Sequence, residues 1–281
     1  QVTEEEPGAA VETVKEEAPV EVRAPFIPPA PSVEVKEEKL KTEAPVFVDK
    51  KPEKELPFFQ YTNIDRIGFI REKPAEAYAY IFKMKDDKQM VSNDDIVYLK
   101  QKKNSPHTLI PGSLYLIFEI LEDPIKDNIS KDYIGLQHMI KGVVEITEIL
   151  QKNPLIAEGR VTSTFLKINI GNFLLPYNRR SPKIPLTKSP EGIDGKILVT
   201  RSHRMIIASD TIAFIDKGEQ DGIQPGQRFS IYYTEDLDEI TKKIDIGSLM
   251  VLHTEKTTST VLITDADEAL EPGVKIRTPL R

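Results

Sequence analysis

The sequence predicts an all-β protein: two tandem small barrels or curled sheets, each of about five or six short strands, behind a disordered N-terminal tail rich in Pro and Glu. Three observations predict it. Short apolar runs alternate with polar residues and are bounded by Gly, Pro, Asn and Asp. One stretch, Thr211 to Tyr233 (TIAFIDKGEQDGIQPGQRFSIYY), shows this most clearly: two such runs, 211–216 and 227–233, flank Gly218, Gly222, Pro225 and Gly226. It reads as a β-hairpin, with Gly218 and Gly222 supplying positive φ and Pro225 fixing its own. The pattern also occurs twice. A shift of 116 lays Met90-Val91-Ser92-Asn93-Asp94 on Ile206-Ile207-Ala208-Ser209-Asp210, Ile96 to Leu99 on Ile212 to Ile215, and Ala79 to Lys83 on Gly195 to Val199. Pro111-Gly112 falls on Pro225-Gly226, and Val161-Thr162, Ile168 and Gly171 fall on Ile263-Thr264, Leu270 and Gly273 at a shift of 102. Matches in the same order along the chain mark an internal duplication.

In order, residues 1–57 carry 14 acidic and 8 basic side chains, nine prolines and a single glycine. With so few large apolar residues the segment cannot offset its ordering entropy, and it reads as an extended tail or linker. Two apolar islands interrupt it, at 24–29 and 44–48. The tail holds −6 of the net −7, so the remainder is near −1. That near-neutrality argues against nucleic acid as a partner.

The first unit spans 58–177. Phe58, Phe59 and Tyr61 anchor its start, and strands are expected around Ala77 to Met84, Ile96 to Lys100, Leu114 to Leu121 and Gly142 to Ile149. Residues 123–140, with Pro124, Asn128 and Gly135, read as a long loop with at most a short helix. Gly112 to Gly142 is nine positions longer than Gly226 to Gly247, so an insertion of about nine residues lies here. Residues 178–192 hold Pro182, Pro185 and Pro190 with Arg179, Arg180, Lys183 and Lys188, and read as a solvated interdomain linker whose charges could also meet an acidic partner or anionic glycan. The second unit, 193–281, continues past 211–233 with a polar excursion at 234–243, a strand at 246–252, its antiparallel neighbour at 257–264 and a closing Pro272-Gly273.

Chemistry is hard to find. The chain has no cysteine, which removes disulfides, thiol catalysis and thiolate metal sites. His107, His138, His203 and His253 fall in separate segments without metal-ligand spacing. Asp216, Asp221 and Gly222 lack the further ligands of a calcium loop and suit a turn. Asp94 and Asp210 each precede a strand in their own copy, which fits a shared turn role better than paired catalytic carboxylates. Thr257 to Thr260 with His253 and Asp265 have no spacing that assembles a nucleophile, base and orienting acid. No phosphate-binding glycine loop is present, and no apolar run spans a membrane. No enzyme is expected, and neither a cofactor nor a metal.

The second unit, with FIDKGEQDGIQPGQRFSIYY, IGSLMVLHTEKTTSTVLIT and EPGVKIR, resembles the C-terminal domain of the flagellar assembly protein FlgT. The succession of Pro/Glu-rich linker and two units resembles the LysM-containing proteins of Gram-negative bacteria, among them the secretin-associated TsaP of type IV pilus systems. That resemblance implies a periplasmic, non-enzymatic scaffold, with the β units holding an outer-membrane secretin and a LysM domain gripping peptidoglycan. No LysM sequence is legible in 1–57: if the chain is a fragment, such a domain would lie before Gln1, and if it is complete, the resemblance does not extend to peptidoglycan binding. A glycan-binding module is the alternative, with Tyr232 or Tyr233, or Tyr78 and Tyr80, as the aromatic platform. No binding residue is transferable from the family.

Overall fold

The computed structural model describes residues 57–103, 105–238 and 240–279. The tail and its two apolar islands lie outside the described residues. The strands are β1 (Phe58–Gln60), β2 (Phe69–Arg71), β3 (Ala79–Met84), β4 (Ile96–Gln101), β5 (Leu114–Ile120), β6 (Ile125–Lys126), β7 (Tyr133–Lys152) and β8 (Leu155–Thr164). They continue with β9 (Phe173–Pro176), β10 (Lys183–Pro185), β11 (Asp194–Thr200), β12 (Ile212–Ile215), β13 (Arg228–Leu237), β14 (Ile240–Thr254), β15 (Ser259–Ala266) and β16 (Lys275–Arg277).

The chain is all-β, and twelve of these strands close two six-stranded barrels. The first runs β3-β4-β8-β7-β5-β9 and the second β11-β12-β15-β14-β13-β16, each returning to its first member. The two orders are the same. So are the irregularities: bulges at Ile81/Lys83, Ile117/Phe118, Val143/Val144 and Ile146/Glu148 recur at Ile197/Val199, Ile231/Tyr232, Ser248/Leu249 and Val251/His253. A bulge kinks its strand and increases the twist, which a small closed barrel needs at its corners.

The matched loop residues keep their roles. Asp94 and Asp210 both take positive φ, +67° and +63°, and donate their backbone N–H to Val161 and Ile263 at 2.7 and 2.8 Å. Gly112 and Gly226, then Gly171 and Gly273, are left-handed in both copies. Gly142 and Gly247 sit at one shared crossing, where a Cβ would strike the carbonyl of Ser163 or Asp265 on the neighbouring strand. The registers Ile117 to Gly142 and Ile231 to Gly247 place the expected nine-residue insertion between β5 and β7.

Inside each barrel the inward residues form one apolar cluster. Ile81, Val97, Leu99, Ile117, Val144 and Val161 belong to the first, and Ile197, Ala213, Ile215, Phe229, Val251 and Ile263 to the second. Burying each large side chain contributes about 1.5–3 kcal/mol.

Several sequence expectations need correction. The stretch 211–233 is not a hairpin: β12 pairs with β11 and β15, while β13 pairs with β14 and β16. Its glycines and proline do reverse the chain, but barrel closure puts two strands between the runs they connect. Gly218 is extended at φ −139°, and a Cβ there would meet the backbone of Glu255 and Lys256. Residues 123–140 are not one long loop, since β6 and the start of β7 flank a short turn at 127–132 and β7 runs on unbroken for 20 residues. Within the polar excursion β13 and β14 pair as far as Leu237 with Ile240 and form an arm beyond the barrel. Residues 178–192 contain β10, which pairs with β1 and buries Ile184.

That last pairing belongs to a seam that joins the barrels. The second barrel is apolar outside as well as inside: Ile212, Met250, Leu252 and Leu262 face outward and are covered by Ile64, Ile67, Ile184, Phe59, Tyr61 and Leu186. Phe58, Phe59 and Tyr61 thus begin a strap across the second barrel instead of anchoring the first. Beside it, Phe214 and Leu198 pack on Ile70, Ile125 and Ile134. The four consecutive buried residues of β12 follow from this: Ala213 and Ile215 face the barrel interior, Ile212 and Phe214 the seam.

Candidate partner-binding surface

The seam absorbs most of the residues that the sequence singled out for chemistry. Strand β2 pairs with β7 along one edge. Its other edge is capped by the buried hydroxyls of Thr258 and Thr260, which donate to the carbonyls of Ile70 and Gly68 at 2.8 Å each. An open strand edge is a site for unwanted pairing, and hydroxyl donors close it as a neighbouring strand would. The Thr/Ser-rich run is therefore structural.

Three histidines lie at the same seam. His138 is fully buried and stacks on Phe69 at 4.6 Å. Its Nε2 accepts the Ala75 N–H at 3.0 Å while Nδ1–H donates to the Leu136 carbonyl at 2.9 Å, so the ring is neutral and its tautomer is set. Burial pushes its pKa down to about 4. His203 bonds the buried Gln137 side chain, whose amide donates to the Arg201 carbonyl across the seam. His253 contacts Glu255, which also takes a two-pronged hydrogen bond from Arg71 at 2.7 and 3.0 Å. Burial alone would raise the Glu255 carboxyl, but its bonds to His253 and Arg71 outweigh that and hold it below the usual carboxylate range. Lys196 and Asp127 add an ion pair between the barrels. His107 stands apart, stacked on Tyr78 at 4.1 Å. Among the described residues, no three His, Asp or Glu side chains cluster as metal ligands.

Of the two carboxylates read as turn residues, Asp216 bonds the neighbouring strand and Asp221 caps its own turn. Asp216 accepts the Lys196 N–H and Asp221 the Gly218 N–H.

The tyrosines proposed as a glycan platform differ in exposure, Tyr80 being half-buried. Tyr232 is 1% exposed, its ring lying against the cations of Lys243 and Arg277 at 4.6 and 5.2 Å. Its hydroxyl donates to Asp194, and burial together with that carboxylate raises its pKa. Tyr78 is covered by His107. Tyr233 is 41% exposed, on the arm that also exposes Leu237 and Ile240.

Two concave regions differ in charge balance. A cleft of about 600 Å³ at the base of the arm is lined by Lys188, Glu191, Asp194, Lys243 and Arg277. Its charges are matched: Lys188 pairs with Glu191, Lys243 with Asp194, and Arg277 with Asp245. It makes no net demand for a charged ligand. The second region is a groove across the seam, formed by depressions of about 380 and 340 Å³ that meet at Asn63, Arg66 and Phe165. It carries Arg66, Arg179, Arg201 and Arg204, and among the described residues none of these has a carboxylate at ion-pair distance. Asp65 in the groove wall is taken up by Tyr177 at 2.9 Å and by Arg180. The Arg66 guanidinium lies over the Phe165 ring at 5.3 Å, which fixes its direction. These arginines come from three separate stretches of the chain, around 66, 179 and 201–204, and only Arg179 lies in a run that the sequence marked as basic.

The chain matches no protein-family model and no curated protein. Among the described residues no helix is long and apolar enough to cross a membrane.

Proposed function

We propose that this chain is a non-enzymatic scaffold of the Gram-negative cell envelope, whose β units hold an outer-membrane secretin or a related assembly. The observation that carries the scaffold role is the seam. Buried threonine hydroxyls, an arginine–glutamate pair and two apolar clusters lock the barrels together, and fixed relative placement is what a platform for a large partner requires. The periplasm and the secretin follow from the resemblance to secretin-associated LysM proteins. Attachment to peptidoglycan belongs, on the same resemblance, to a domain outside the described residues. For the glycan-binding alternative, Tyr232 and Tyr78 are already covered, which leaves Tyr233 on the arm as its exposed aromatic.

The test is retention of a purified, detergent-solubilised secretin ring on the immobilised full chain, with a parallel co-sedimentation on isolated peptidoglycan sacculi. Retention of the ring is expected. Sedimentation with sacculi and no retention would return the glycan module to first place; neither result would end the envelope proposal.

A further inference from the structure

We infer that the arginine groove over the seam docks an acidic polypeptide segment, a short extended stretch in which carboxylates are interspersed with apolar side chains. The assignment rests on the scaffold reading only in making that segment part of the held partner.

Arg66 lines both depressions of the groove, with Arg179 in one and Arg201 and Arg204 in the other, while the charges of the cleft at the base of the arm are internally matched. Four arginines line the groove against Asp65, already taken up by Tyr177 and Arg180, and Asp210, and an anion bound there would offset the excess positive charge. Guanidinium forks suit carboxylates, which they engage through two parallel hydrogen bonds. Arg66, already held over Phe165, would lose little freedom on binding.

The walls select among anions. Phe165, Leu166 and the partly exposed Leu114 alternate with the arginines and offer apolar contact. Asp65 and Asp210 share the same walls. A uniformly charged chain such as polyphosphate would meet both repelling carboxylates and apolar surface it cannot use. A polypeptide can place a glutamate at each arginine and an apolar side chain between. The Tyr61 hydroxyl and the Asn63 amide stand in the same groove as neutral partners for peptide groups.

The experiment titrates the full chain with a synthetic peptide of alternating glutamate and valine, its glutamine counterpart, and inorganic pyrophosphate. The glutamate peptide is expected to bind saturably, to weaken on the order of tenfold between about 0.05 and about 0.5 M salt, and to exceed the glutamine peptide by a similar factor. Arg201→Ala with Arg204→Glu should weaken it by at least about tenfold with melting unchanged, because neither side chain has an ionic partner to lose. In the unsubstituted protein, arginine side-chain N–H resonances should shift with the peptide, a readout that does not depend on the variant folding. Absence of saturable binding, or affinity unchanged by the substitutions, overturns the proposal. So does pyrophosphate binding as tightly as the peptide and displacing it, which would make the groove a simple oxyanion site. Secretin retention without peptide binding would leave the scaffold standing and remove the groove; the reverse would do the opposite.

Discussion

Replacing Thr258 and Thr260 by Val removes two hydroxyls and changes almost nothing else, because Val has nearly the shape of Thr. Both side chains are about 1% exposed, and each donates a 2.8 Å hydrogen bond to a β2 carbonyl. Water cannot reach these carbonyls to replace the lost donor, so each deletion should cost about 1–3 kcal/mol. The sites are two residues apart and share one strand, so their effects need not add, and the double variant should lose about 2–5 kcal/mol. In a body of this size about 1 kcal/mol lowers Tm by roughly 2–4 °C. Urea unfolding followed by far-UV circular dichroism measures the loss, with Thr241→Val as the control. Thr241 bonds Asp236 on the exposed arm and should stay within about 0.5 kcal/mol of the parent. A double variant as stable as that control would refute the view that these hydroxyls seal the β2 edge.

Acid should weaken the fold through His138 in a definite window. Its folded pKa is about 4 and its unfolded value 6.5, so the unfolded chain binds the proton first, and stability is lost as pH falls from 6.5 towards 4. The loss approaches on the order of 3 kcal/mol; His138→Gln, which can still accept the Ala75 N–H, should flatten that slope, and an unchanged slope would rule His138 out. Gly142→Ala and Gly247→Ala should each cost more than about 2 kcal/mol, since the new methyl strikes a strand carbonyl; a neutral result in either would mean that the barrel crossing relaxes. Phe214→Ala empties a fully buried site on the outer face of the second barrel and should cost about 3–5 kcal/mol in chemical denaturation, where a loss under about 1 kcal/mol would mean that the seam carries little of the stability. A chain beginning at Pro57 should melt as the full chain does, whereas cutting at Tyr61 should not, because β1 pairs with β10.

The duplication was legible because turns need special residues. Positive φ at Asp94 and Asp210, and at the paired glycines, leaves a mark that survives when the apolar residues between them change. Two tandem barrels or curled sheets of about five or six strands, and the nine-residue insertion, followed from those marks; closure into six-stranded barrels did not. Pairing was not legible, since a run such as Ile212 to Ile215 is apolar whichever strand it joins, and closure decided in favour of β15. The seam was hidden for a related reason. Outward residues such as Met250 and Leu262 look like core, and the strap covering them, Phe58 to Leu186, lies at opposite ends of the first unit. The groove left least trace of all, because Arg66 lies far in sequence from Arg201 and Arg204, and only the seam brings them to one depression.

The central claim is that the two barrels form one fused platform, and calorimetric unfolding of the full chain tests it most directly. A single transition whose calorimetric enthalpy equals the van't Hoff enthalpy is predicted, because the seam makes each barrel's outer face part of a shared core. Two separable transitions, one for each barrel, would contradict it.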